Sequence, residues 1–420
     1  MATDKQRLTS LAADRRLHRA FGWLHLHELQ LRRWQLEFLA ISAPPFGEGA
    51  RAAWFCDRFV ELGLGGVHVD AEGNAVALLP ASKATDTEPA VLLSAHLDTV
   101  FPEGTDCTPR EDGPVIYCPG ACDNGAGLAA LLGIAAALRH SDCQPACPIV
   151  FAANVGEEGE GDLRGIRHLF AEPPFGLEIA AAIALEGGGQ SLVVDRALGS
   201  RRLRATLTGP GGHSWADSGR PNPILVLSAA LLAVARLPLP VAPRTTLNVG
   251  RLQGGASINS IPSSAVADLD LRSVSEVELD RLEITVLQRL ATEIGAEMRP
   301  YGPAEQLSLA IERIGHRAAG SLDADAALAR SLRAVDRHLN IVTDPRIGST
   351  DANLPLSLGV PALAIGAGGT GGGLHTLGEW YDPTGRGLAL RRILLLLLDT
   401  CSLLLEARDP QTELAAERER

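Results

Sequence analysis

Val91–Asp98, VLLSAHLD, decides the fold. It is a short apolar run that ends abruptly in a histidine and an aspartate. Such a run, bounded by polar residues, predicts a buried strand. The same design recurs in IVFAANVGEE (149–158), AAIALEGG (181–188) and PALAIG (361–366), the last followed by the loop GGGLHT (371–376). GACDNGAG (120–127) opens onto an apolar helix instead. Helices alternate with these strands: periodic apolar residues over 27–41 and 50–63, and the run GAGLAALLGIAAALRH. GVHVDAEGNAVALLP reads as a hairpin turning at Gly73-Asn74. The expectation is an α/β fold with a mixed, mostly parallel sheet flanked by helices.

The pattern changes near Gly199. Strands there alternate apolar and polar residues (GSRRLRATLTGPG, TTLNVGRL, AVADLDLRS), as in a sheet with one covered face. Helical stretches PILVLSAALLAVARL and VELDRLEITVLQRLATEIG separate them, and a last strand is expected near Met298–Tyr301. The order β-α-β-β-α-β marks an inserted domain. The division is therefore 1–198 and 313–420 for the catalytic domain, and 199–312 for an inserted lid or dimerisation domain.

The 420 residues are 46% hydrophobic and 21% charged, which fits a globular chain of two domains. With 38 basic and 50 acidic residues the net charge is −12, which argues against nucleic acid or an anionic membrane as partner. The amino terminus lacks an apolar signal-peptide core. The leucine-rich run near 393–407 is broken by Asp399, so a buried helix is expected and not a membrane span. Seven cysteines, an odd number without zinc-ribbon spacing, point to reduced thiols in the cytoplasm.

The polar residues at the strand ends carry the chemistry. In open α/β sheets ligands bind beyond the carboxyl ends of the strands. The ends supply His96, Asp98, Asp123, Glu157, Glu158, Glu186 and His375. Taken singly, each has an ordinary reading. His96 and Asp98 are a polar pair, Asp123 a helix cap, Glu157-Glu158 a solvated acidic loop, Glu186 a turn residue and His375 a residue of a glycine loop. Two histidines and several carboxylates delivered to one sheet edge are instead a donor set for a pair of cations. Adjacent buried acids repel unless a cation offsets them. His25 and His27 are assigned to a helix surface.

SAHLDTV, GACDNGAG, the GEE after a strand, ALEGG, GPGGHS and the HT followed by an acid resemble the dinuclear zinc peptidases. These include aminoacylase, carboxypeptidase G, succinyl-diaminopimelate desuccinylase and bacterial tripeptidases. The match runs from about residue 30 to 405 in the right order. The resemblance implies that Asp123 bridges two metals. His96 and Glu186 would complete one, and Glu158 and His375 the other. Asp98 would orient His96, Glu157 would be the general base, and a cis peptide would follow Asp123. It further implies that His213 donates a hydrogen bond to the oxyanion in a partner subunit's site, and that Asn259 and Arg272 hold a substrate carboxylate. The expected cofactors are two divalent ions, zinc foremost, with cobalt or manganese as substitutes. The expected reaction is hydrolysis of an amide in small peptides or N-acyl amino acids, through a water bridging the metals, by a homodimer joined through the inserted domain. A specialised deacylase for one metabolite and an inactive binding relative are the alternatives. Glu186, where aminopeptidase-type members have aspartate, favours a bond near a free carboxylate. Phosphatases and nucleases also pair metals, but they use basic phosphate ligands, which these motifs lack.

Overall fold

The computed structural model describes residues 3–82 and 89–407. The chain forms two compact units, Met1–Ala197 with Ser321–Arg420, and Leu198–Gly320.

The first unit is built on a mixed sheet. Its order begins Gly65–Val69, Ala75–Leu79, Ile149–Asn154, Ala90–His96, Ile179–Leu185, Ala362–Ile365, Leu192–Ala197. Ala90–His96 pairs in parallel with both Ile149–Asn154 and Ile179–Leu185, and the latter in parallel with Ala362–Ile365. Those four strands therefore finish at one edge. Alternate residues face opposite sides of a strand. Val91, Leu93 and Ala95 join one apolar cluster, while Ala90 and Leu92 join another. Both faces are covered, so the strands read as continuous apolar runs.

The helix Gly125–Ser141 lies in the larger cluster and is buried on nearly every side. Leu128, Leu131, Leu132 and Ile134 each contribute about 1.5–3 kcal/mol by leaving water. Its start is crowded: a Cβ on Gly127 would sit 2.5 Å from the Leu185 carbonyl, so only glycine fits. The leucine-rich helix Arg386–Ala407 is a core element. Its buried Asp399 accepts from Arg7 Nε at 2.8 Å and Nη2 at 3.0 Å, and from Ser331 Oγ at 2.7 Å. Among the described residues no helix is long and apolar enough to cross a membrane. Two helices, Asp4–Ala12 and Arg15–Leu26, precede the first one read from the sequence.

The second unit has a four-stranded antiparallel sheet in the order Thr245–Gly254, Ser264–Ser273, Gly199–Thr208, Ser308–Arg317. Helices Pro223–Ala235 and Glu276–Met298 contribute to its apolar cluster. Along Ser264–Ser273 buried and half-exposed residues alternate strictly. Two sequence expectations need correction. Met298–Tyr301 is not a strand: Met298 extends the helix's buried stripe of Leu290 and Ile294, and the strand is Ser308–Arg317. The insert ends at Gly320, not 312.

Candidate metal centre

His96 closes its strand with 1% exposure. Its Nδ1 lies 3.0 Å from the Asp98 carbonyl oxygen, with the Asp98 carboxylate at 3.7 Å. A donor role for Nδ1 leaves Nε2 as the ligating nitrogen. Nε2 is 3.1 Å from Asp123 Oδ1 and 3.3 Å from Glu186 Oε1. Beside the imidazole, the Asp98 carboxylate has a second task. It accepts from the Glu157 amide at 3.0 Å and the Glu158 amide at 2.7 Å, and so sets the turn that presents both glutamates. Burial opposes its ionisation, but His96 and these amides hold it below the usual carboxylate range.

Asp123 stands where the loop meets the helix. The side chain that caps the helix is the next one, Asn124, whose Oδ1 accepts from Gly127 and Gly187 and whose Nδ2 donates to Leu185. Asp123 therefore keeps both oxygens for other partners. Oδ1 meets His96, and Oδ2 meets His375 Nε2 at 3.2 Å. His375 Nε2 is also 3.0 Å from Glu158 Oε1. The Asp123–Asn124 peptide is cis. The Glu186 amide donates to Ile365 of the neighbouring strand at 2.9 Å. Glu157 is 5% exposed and shares a donor group with His96 and Glu158.

Besides that group, two trios share Asp123, His96–Asp123–Glu186 and Asp123–Glu158–His375, each with donor atoms within 4.8 Å of one another. Asp123 gives one oxygen to each. Burial raises Glu186 to about 7, and nearby Asp123 and Asp351 add to the rise. Burial likewise raises Glu158. Hydrogen bonding to Asp123 leads the rise of His375 to about 9. For His96 burial pulls downward, but Glu186, Asp123 and Asp98 raise it well above its ordinary value. The rises at His96 and His375 come from the carboxylates around them, and those at Glu158 and Glu186 come first from burial. Buried Glu186 Oε2 has no hydrogen-bond partner. Imidazole and carboxylate donors in two such trios fit a pair of divalent cations.

Residues that drew no role from the sequence hold this centre in place. Buried Glu379 accepts from the amides of Gly120 (3.0 Å), Cys122 (2.9 Å) and Asp123 (2.8 Å). Asn154 Nδ2 donates to buried Asp351 at 2.8 Å. Arg51, buried and lowered to about 10 by that burial, donates to Leu97 and Ile41 carbonyls beneath the His96 strand end. The only trace of Glu379 in the sequence is an acid four residues after His375. His27 stacks on Trp23 at 4.4 Å, and neither it nor His25 enters the trios.

In the second unit, His213 Nδ1 accepts from the amides of Trp215 (3.1 Å) and Ala216 (3.3 Å). The neutral ring then carries its proton on Nε2. Ser214 N donates to the Asn259 carbonyl at 3.0 Å, so His213 and Asn259 lie at one short antiparallel pairing, Gly212–His213 with Ser260–Ile261. Arg272 lies eight residues beyond Ser264 on its strand, roughly 27 Å along it, with Nε on Asp270 at 2.7 Å.

The profile of peptidase family M20/M25/M40 matches residues 92–398. A probable carboxypeptidase of Aspergillus clavatus is 30% identical over 258 residues, 54% of each chain. Another from Aspergillus terreus is 30% identical over 196 residues, 44% of this chain and 45% of that one. The chain spans about half the length of the curated relatives it matches. Among solved structures, a tripeptidase of Staphylococcus aureus superposes with TM-score 0.73 at 20% identity, covering 89% of this chain and 99% of that one. A di-peptidase of Saccharomyces cerevisiae also gives 0.73, at 13% identity over 92% and 98% of the two chains.

Proposed function

From its membership of peptidase family M20/M25/M40, we propose that this chain hydrolyses an amide bond in small peptides or N-acyl amino acids, with two divalent metal ions, most readily zinc. The observation that carries the reading is the pair of trios sharing Asp123. His96, Asp123 and Glu186 would hold one ion, and Asp123, Glu158 and His375 the other. When bound, the ions supply the positive charge that acidifies a water and polarises a carbonyl. Glu157 takes the proton of the attacking water and delivers it to the departing nitrogen. Asp98, by fixing the Glu157 and Glu158 amides, positions that base.

Relatives named probable carboxypeptidases, together with glutamate at 186, favour a bond beside a free carboxylate, for which Asn259 or Arg272, near opposite ends of Ser264–Ser273 and so not both at once, would be the donor. His213, with its proton on Nε2, would donate to the oxyanion of a substrate held by a second copy. That role requires a homodimer. Exposed Leu225 and Leu232, one heptad apart on the insert's first helix, support an apolar contact there. Seven free cysteines support a cytoplasmic location.

The test is metal analysis with turnover of dipeptides, tripeptides and N-acetyl amino acids, with and without chelator. Two ions per chain and chelator-sensitive hydrolysis are expected. Glu157→Gln lowers kcat by about 10²–10⁴ with metal content unchanged. Hydrolysis that ignores the chelator, or a fully active Glu157→Gln, overturns the reading. An unchanged rate in His213→Ala overturns the role across subunits.

A further inference from the structure

The loop before the helix Gly49–Glu61 holds a strained aromatic residue that the metal chemistry does not use. Gly47 N donates to the Pro44 carbonyl at 2.8 Å and closes a four-residue turn. Pro45 occupies the first central position and Phe46 the second, at φ 68°. That is the glycine position of a type II turn, and a bulky side chain there is strained. Phe46 is also 67% exposed. Its ring is nevertheless anchored. The Arg164 guanidinium lies 5.0 Å from the ring centroid, and Glu48 (2.7 Å) and Glu72 (2.8 Å) hold that guanidinium. Strain and exposure both disfavour folding here, so the feature calls for a functional reason.

The ring stands at a cavity of about 910 Å³, within the range of roughly 300–1,000 Å³ typical of small-molecule sites. Pro45, Val100 and Pro102 supply apolar wall beside Phe46, and Glu103 and Glu160 also line it. Part of the cavity's lining lies close along the chain to residues of the candidate metal centre. Val100 follows Asp98 by two residues, and Glu160 follows Glu158 by two. Thr99 N donates to the Ala43 carbonyl at 2.9 Å, which fixes the aromatic loop against the strand end that carries His96.

We propose that this cavity receives one substrate side chain flanking the scissile amide, that its occupant is a large apolar or aromatic group, and that Phe46 selects it. The inference rests on the hydrolase reading above and narrows its substrate class. The walls offer the occupant burial, and the Glu103 and Glu160 carboxylates repel an acidic competitor.

The test compares wild type with Phe46→Gly. Glycine relieves the strained turn, so the variant is expected to melt at the wild-type temperature or a few degrees above it. Two readouts are made. One is kcat/KM for N-acetyl amino acids and dipeptides carrying Phe, Leu, Ala or Glu at each position. The other is calorimetric affinity for N-acetyl-L-phenylalanine against N-acetylglycine. Wild type prefers Phe and Leu, with Glu poorest. In the variant the loss for phenylalanine substrates exceeds that for alanine substrates by about tenfold, mainly through KM. Its affinity for N-acetyl-L-phenylalanine falls in parallel. Equal losses across the panel, or no loss, overturn the proposal. Binding that depends on Phe46 without any hydrolysis sinks the hydrolase reading but upholds the subsite. Hydrolysis with selectivity independent of Phe46 sinks the subsite alone.

Discussion

Glu379→Gln tests how the loop that carries Asp123 is held. Glu379 is 1% exposed, and its carboxylate takes three main-chain amides. Oε1 serves Cys122 and Asp123, while Oε2 serves Gly120. A glutamine can keep the first oxygen in place. Its NH₂ group then faces the Gly120 amide, donor against donor. One charge-assisted hydrogen bond is lost and one buried N–H is orphaned, at a cost of about 2–3 kcal/mol. For a unit of this size that lowers Tm by about 4–12 °C. The same loop aims Asp123 at both trios, so metal affinity should fall about 10–100-fold, as when the support of a ligand is removed. Competition against a chromogenic chelator measures the affinity, and thermal melts with and without chelator measure the stability. Glu379→Asp, which keeps the charge but shortens the reach, should also lose affinity. A Glu379→Gln protein that matches wild type in both measurements refutes the reasoning.

Arg7→Ala strands the buried Asp399 carboxylate with Ser331 as its remaining hydrogen-bond partner, and should cost about 3–5 kcal/mol; a melt unchanged by the substitution contradicts this. Asp268→Asn tests pH linkage in the insert. The Arg204 hydrogen bonds hold Asp268 below the usual carboxylate range, and partial burial opposes them. A depressed folded value means that the pair stabilises above the unfolded pKa of about 3.9 and fades as pH falls through the folded value. The pair is partly exposed, so its worth is on the order of 1 kcal/mol or less. The difference in Tm between wild type and variant should stay level from pH 8 to 5 and shrink towards pH 4 and below. A difference that widens on acidification contradicts the assignment.

What the sequence reveals depends on how local the signal is. VLLSAH, IVFAAN and AAIAL announce strands because each is buried on both faces. Their donors are legible because parallel strands end together. The end of the insert is harder to read. The pairing of Ser308–Arg317 slips between Arg313 and Gly315, which breaks the alternation just where 312 looked like a boundary. Asp98 shows another limit. A spacing of two residues puts its carboxylate near His96, but the amides it serves belong to a strand end about sixty residues later. Glu379 is quieter still, because its partners are main-chain amides more than 250 residues away, and backbone groups leave no mark in a sequence.

The hydrogen bond from Glu186 to Ile365 has a bearing on biosynthesis. The donors of the first trio are all translated by residue 186, yet the carbonyl that seats the last of them arrives about 180 residues later. The second trio waits for His375. A nascent polypeptide stalled inside the insert thus owns most of the chelating groups and neither finished socket. A bound cation would act late, as a bolt driven through an assembled frame.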